Sequence, residues 1–253
     1  MKKTTRKDRA LDRRLLLASG AVAVAAVPVA IIGYAASHGW GPLHRLDSGA
    51  ATNLHAWALS QPGAVRFLEG VSTVFDPWVL RTVAAGAVVA LAVRGERRLA
   101  RWAATTVVVA GALGFGLKLV VARSRPALPD PVSNAPGSSF PSGHALNSFV
   151  IIGTFVLLAL PAIPARWRPV AWVVGGSIVL LVGFARVALG VHYVSDVVAG
   201  WLVGAGVLGA TVLAFDTWRR PQRRPVKRIL KEGVDPEGTR AASTSPQQRS
   251  ETS

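Results

Sequence analysis

The sequence has no cysteine among its 253 residues. Disulfides, thiol nucleophiles and cysteine-held metals are therefore excluded. Acidic residues are scarce: 13 Asp and Glu stand against 29 Lys and Arg, for a formal net charge of +16. They form no Asp/Glu cluster of the kind that holds a divalent cation. Charge of either sign is missing from long stretches. Residues 15–36 are a run of 22 without a charge and 197–215 a run of 19. Residues 102–117, 145–160 and 170–185 give 16 each, and 82–93 gives 12. About 20 apolar residues in a helix cross a hydrocarbon core of about 30 Å. The 102–117 run grows to 21 if Lys118 lies inside it, and the 82–93 run reaches spanning length with Arg81 near its outer end. Six spans are predicted, near 15–36, 75–93, 102–122, 142–160, 170–186 and 193–215. The expected fold class is all-α: a polytopic membrane protein built as a six-helix bundle.

What is plentiful is positive charge, and its placement gives an orientation. Residues 1–14 carry seven Lys or Arg, 94–101 four, 161–169 two and 216–253 nine, so 22 of the 29 basic residues sit in four segments. With six spans all four segments fall on one side, the positive-inside pattern, which puts both termini in the cytoplasm of a plasma-membrane protein. A nucleic-acid partner is disfavoured, because the basic clusters alternate with spans and do not build one face. The expected organisation is a basic arm over 1–14, a six-helix domain over 15–215, and a basic, disordered tail over 216–253 suited to an anionic inner leaflet. A cleaved export signal competes for the N-terminus, but its apolar core would be shorter than the run here. Residues 37–74 mix apolar and polar residues at near-helical spacing, as an interfacial helix or as a solvated connector.

Seven basic residues remain outside those four segments: Arg45, Arg66, Arg81, Lys118, Arg123, Arg125 and Arg186. Four of them fall at the outer ends of spans 3 and 5, while the outer ends of spans 4 and 6 carry His144, His192 and Asp196. Charges at the mouth of a span default to a functional reading. Lys118 and Arg125 are seven apart, two helical turns, and share a face for as long as the helix lasts. His192 and Asp196 are four apart and stack on one helix face. A carboxylate there fixes the histidine tautomer and leaves the other ring nitrogen as nucleophile or base. Ser142 reads as the N-cap of span 4, whose N-terminus favours anions, and Gly143 permits close approach of a ligand. Three strong cations, a capped helix start, two histidines and one carboxylate suit a tetrahedral dianion, phosphate.

These residues resemble the three signature motifs of the type 2 phosphatidic acid phosphatase superfamily, integral-membrane lipid phosphatases whose site is shared by vanadium haloperoxidases. The motifs stand here as "KLVVARSRP" (118–126), "PSGH" (141–144) and "ARVALGVHYVSD" (185–196). Ala185 departs from the pattern, standing where the third motif has serine. The resemblance implies that His192 attacks phosphorus and Asp196 orients it. It implies that His144 protonates the leaving oxygen and then activates water. Lys118, Arg125, Arg186, Ser142 and Gly143 would hold the phosphoryl oxygens, without a metal or other cofactor. The implied substrate is a membrane lipid phosphate or diphosphate met at the outer face. A polyprenyl diphosphate, phosphatidic acid or phosphatidylglycerol phosphate are the candidates.

Two competing functions share these residues. A phosphotransferase would use every one of them; a non-enzymatic anion binder or transporter would not need the His192–Asp196 pair. Among the remaining polar residues, Arg123 reads as a cation snorkelling to headgroups and is left out of the site. Asp76 and Arg81 pair with each other or touch the substrate. His38, His44 and His55 lack metal-ligand spacing and read as loop or interface residues.

Overall fold

The computed structural model describes residues 6–129, 136–216 and 230–234. Among the described residues eight α-helices follow in order: α1 (Arg6–Ser37), α2 (Gly41–Leu59), α3 (Pro62–Val74), α4 (Pro77–Val93), α5 (Arg97–Val121), α6 (Gly143–Ala159), α7 (Arg168–Ala188) and α8 (Val194–Asp216). Among the described residues there is no strand. Six stretches of the described residues are long and apolar enough to cross a membrane: Leu16–Ser37, Gly63–Val93, Arg97–Val121, Gly143–Ala162, Ala165–Ala188 and Val194–Phe215. The chain is an all-α, multi-pass membrane protein, as the charge-free runs predict.

A helix that is apolar all round must be buried in protein or face lipid. Both outcomes occur. α6 and α8 form the interior, whereas α1, α4 and α5 turn residues such as Ile31, Val89, Val108, Phe115 and Val120 outward. The central cluster joins Val29, Leu80, Ala84, Ala110, Leu146, Val150, Ile151, Ala199 and Val203. Without a hydrophobic drive between helices in lipid, close approach depends on small residues. Gly200 is such a residue: a Cβ there would lie 2.9 Å from the Ser142 carbonyl oxygen and 3.1 Å from the Leu146 nitrogen. α8 thus runs against the first turn of α6 with no room for a side chain.

The segment over 37–74 is neither a connector nor a free interfacial helix. Its helices α2 and α3 pack on α7, and α2 also reaches α8. The contact is a separate apolar cluster of Ala58, Leu68, Val71, Val182, Ala185, Ala188, Leu189 and Val191. Ala185 lies fully buried there, so the motif's serine position is spent on packing in this chain.

At the opposite end of the bundle, residues 230–234 differ from the expectation of a disordered tail. They dock on α6 and α7: Val234 N donates to Leu157 O at 3.1 Å, Trp172 Nε1 to Leu230 O at 3.0 Å and an Arg168 Nη1 to Lys231 O at 2.7 Å. The expectations for residues 1–5, 217–229 and 235–253 lie outside the described residues.

Candidate active site

Three connecting segments meet at the end of the bundle away from residues 230–234. The first is the exit of α5. The helix stops at Val121 because Ala122 takes a left-handed conformation, φ 47°. Pro126 then biases Arg125 toward extended backbone. Lys118 and Arg125 therefore do not share a helix face, contrary to their spacing. Lys118 is on the last turn of α5 and Arg125 is on the strand-like exit, yet both point into the same place. Lys118 Nζ donates to Ser138 O at 2.6 Å, and an Arg125 Nη1 donates to Val191 O at 2.7 Å. The two charges are close enough to repel each other.

The second segment starts α6. Ser142, fully buried, caps the helix: its hydroxyl accepts from Ala145 N at 3.4 Å. Gly143 opens the helix, and only Pro77 Cγ, at 3.8 Å, would meet a side chain placed there. His144 Nε2 lies 3.2 Å from the Ser72 carbonyl oxygen, to which it donates, and 3.7 Å from Asp76 Oδ2. Asp76 also caps α4 through Trp78 N at 2.8 Å. Asp76 faces His144, while Arg81 Nε donates to Asn147 Oδ1 at 2.9 Å.

The third segment joins α7 to α8. Arg186 sits in the last turn of α7, 5% exposed, and its Nε has no hydrogen-bond partner among the described residues. Gly190 turns the chain with φ 72°, and Val191 N and His192 N both donate to Arg186 O. α8 begins only at Val194, so His192 precedes the helix and does not stack on its face as the four-residue spacing suggests. Asp196 reaches back instead. Its Oδ2 accepts from Tyr193 N at 2.9 Å and lies 3.5 Å from His192 Nδ1. That last distance exceeds an ordinary hydrogen bond, and such contacts tighten when the charge of the reacting state develops. His192 Nε2 is 3.2 Å from the Arg125 guanidinium. The tautomer this arrangement requires carries its proton on Nδ1 toward Asp196 and its lone pair on Nε2. Burial pushes the His192 imidazole down to about 4; Asp196 opposes the shift, and Arg125 and Arg186 add to it. The ring is therefore uncharged at neutral pH.

The segments are tied by backbone: Ser142 N donates to Asp196 O at 3.0 Å. The charges of Arg186 and Arg125 both act on His144. All eight residues singled out in the sequence therefore lie at one end of the bundle, around one focus.

Residues 99–220 match the model of the PAP2 superfamily, and all three motifs fall inside that stretch. This stretch belongs to the PAP2 superfamily. Phosphatidylglycerophosphatase B of Bacillus subtilis is 36% identical over 103 residues, 40% of this chain and 49% of its own length. Undecaprenyl-diphosphatase of Sulfolobus acidocaldarius is 36% identical over 91 residues, 36% of this chain and 37% of its own length. The matches thus span about half or less of these relatives. The fold extends further. A crystal structure of a transmembrane PAP2-type phosphatidylglycerolphosphate phosphatase from Bacillus subtilis superposes with a TM-score of 0.66 at 21% identity, covering 80% of this chain and 98% of that one.

A further residue of the PAP2 stretch departs from its sequence reading. Arg123 does not snorkel outward. Its side chain is 8% exposed and bridges Asp47 Oδ2 at 2.8 Å and Asp196 Oδ1 at 2.7 Å. Both carboxylates are fully buried, so the guanidinium is paired inside the protein and does not reach toward headgroups. Asp47, on α2, was not singled out from sequence. Its signal is faint: an acid in an apolar-rich segment of a chain with few acids.

Proposed function

We propose that the protein is a metal-independent lipid phosphatase, hydrolysing a lipid phosphomonoester or diphosphate through a phosphohistidine at His192. The observation that carries this reading is the buried Arg186 guanidinium with an unpartnered Nε beside a neutral His192. A buried donor left unsatisfied is costly, and an arriving phosphoryl oxygen would satisfy it. Lys118, Arg125 and Arg186, with the Ser142 hydroxyl and the Gly143 N–H, would hold the equatorial oxygens and the charge that grows on them. Arg125 would move from His192 Nε2 to the phosphate and uncover the lone pair.

In the first step His192 Nε2 attacks phosphorus, the bond to the lipid-side oxygen breaks, and protonated His144 gives that oxygen its proton. Asp196 stabilises the cationic phosphohistidine through Nδ1–H. In the second step neutral His144 takes a proton from water as the oxygen attacks phosphorus. The P–N bond breaks, orthophosphate leaves, and His192 is neutral again.

The names of the relatives support a polyprenyl diphosphate or a phospholipid phosphate as substrate. The positive-inside distribution supports cytoplasmic termini and a site on the extracytoplasmic side of the plasma membrane. The six-helix unit over 15–215 would carry the whole activity.

The test is phosphate release by purified protein in detergent with EDTA over a panel of lipid phosphates, with His192→Ala alongside. Expected are activity in EDTA and at least about a thousandfold loss in the variant. Full activity in His192→Ala overturns the mechanism, and loss in EDTA reversed by a divalent ion overturns metal independence. A phosphoryl group recovered on a second lipid would identify a phosphotransferase. Binding without turnover would identify an anion binder.

A further inference from the structure

Asp47 and Arg123 take no step in the reaction above, yet they fill the space directly behind Asp196. Arg123 Nη1 donates to Asp196 Oδ1 and to Ser195 Oγ, each at 2.7 Å, and Nη2 donates to Asp47 Oδ2 at 2.8 Å. Asp47 in turn accepts from Ser195 N at 3.0 Å and from the Ser195 hydroxyl. Ser195 N belongs to the first turn of α8, whose amide groups have no partner within the helix. The guanidinium plane is backed by the Tyr193 ring, 4.0 Å from centroid to Cζ.

The arrangement assigns each oxygen of Asp196 a separate duty. Oδ1 is taken by Arg123, and Oδ2 is left for Tyr193 N and His192 Nδ1. It also sets the charge. Two buried carboxylates of like sign would otherwise share a proton. Arg123 between them leaves one net negative charge behind the imidazole: two carboxylates against one guanidinium.

We propose that Asp47 and Arg123 are positioning residues for the nucleophile, holding Asp196 ionised and aimed at His192 Nδ1 with one net negative charge. This rests on the phosphohistidine reading. Its consequence is a specific compensation. Arg123→Met leaves Asp47 and Asp196 to share a proton, and a protonated Asp196 no longer fixes the His192 tautomer. Arg123→Met with Asp47→Asn removes one charge of each sign and restores the single negative charge. The other groups facing this cluster are His192 and Tyr193, on its own segment, with Lys118 and Arg125 from the α5 side. All are unchanged in these variants.

The experiment measures kcat and KM against pH for full-length wild type, Arg123→Met, Asp47→Asn/Arg123→Met and His192→Ala in detergent. Arg123→Met should lose about 100-fold in kcat at neutral pH, the scale of a misplaced reacting group, with KM within about twofold. Its kcat should climb with pH through an ionisation that wild type lacks. The double variant should recover about tenfold over Arg123→Met and lose that added ionisation. A double variant no better than the single one, or a single variant with the wild-type pH profile, overturns the proposal. So does a rise in KM at unchanged kcat. Activity in His192→Ala would instead overturn the phosphohistidine reading on which it rests. Should Arg123→Met fail to accumulate, Arg123→Lys carries the test. A point charge serves one carboxylate at a time, so kcat should fall about tenfold at unchanged KM, and wild-type kcat would overturn the proposal.

Discussion

Consider Gly200→Ala, a single methyl group added about a turn and a half into α8, one turn beyond Asp196. The new Cβ would stand 2.9 Å from the Ser142 carbonyl oxygen, against 3.4 Å for the near limit of ordinary contact. The neighbours are backbone and an Ala145 Cβ, not a flexible side-chain tip, so the two helices must part by about 0.5 Å, the difference between those distances. Overpacking of this kind costs about 1–3 kcal/mol of stability. The larger effect is on rate. A displacement of about 1 Å can cost about 100-fold in catalysis, and half of that scaled on a logarithmic axis is about tenfold. Ser142 carries the turn that aims Gly143 and His144, and its N–H is bonded to Asp196 O, so the displacement falls between the His144 side and the His192–Asp196 side of the candidate site. Gly209→Ala is the control. It lies on the same helix, and a Cβ there meets nothing within 4 Å. Helix propensity alone then predicts a gain of up to about 1 kcal/mol and no change in rate. The assay is kcat in detergent beside the midpoint of thermal unfolding for both variants. Wild-type kcat in Gly200→Ala, or equal losses in the two, would refute the claim that the α6–α8 approach sets the site.

Three further outcomes are expected. Arg186→Lys keeps the charge and loses the planar fork, and should lower kcat/KM about 100-fold, read from initial rates on a lipid phosphate. In the proposed mechanism the attacking imidazole must be neutral, and His192 is held down to about 4, so the limb of the kcat/KM profile assigned to it should appear only as pH falls toward 4. Because Arg125 contributes to that depression, Arg125→Met should move the limb upward, whatever its loss of rate. Thr106→Val removes a 2.9 Å hydroxyl contact to Thr211 between α5 and α8, and should cost about 0.6 kcal/mol of stability with kcat unchanged.

The spans and the focus of the site were legible because both follow from local rules. A run without charge must cross lipid, and a cation at its end must be explained. What helical spacing could not supply was where each helix stops. Lys118 and Arg125 converge although Ala122 breaks the helix between them, and His192 meets Asp196 although it lies outside α8. The Asp47–Arg123–Asp196 bridge was illegible for a different reason. Its partners are 76 and 73 residues apart, and Asp47 is 148 from Ser195. Nothing in the neighbourhood of Arg123 separates a buried bridge from a cation at the headgroups until α2 is known to fold onto α8. The docking of residues 230–234 was hidden in the same way, since its partners are a carbonyl, an indole and a guanidinium on distant helices.

The division between inner and outer helices has a mechanical side. Both histidines and Asp196 are carried by α6, α8 and the turn before α8, the two helices that the rest of the bundle covers. α1 and α4, which take much of the contact with lipid, contribute none of them. Thickness changes and lateral pressure in the bilayer act first on those outer helices. Lys118 and Arg125 are carried by lipid-facing α5 and its exit, but the left-handed joint at Ala122 separates the exit from the helix axis. Both histidines and Asp196 thus stand one layer in from the lipid, on the two most enclosed helices and the turn that joins α7 to α8.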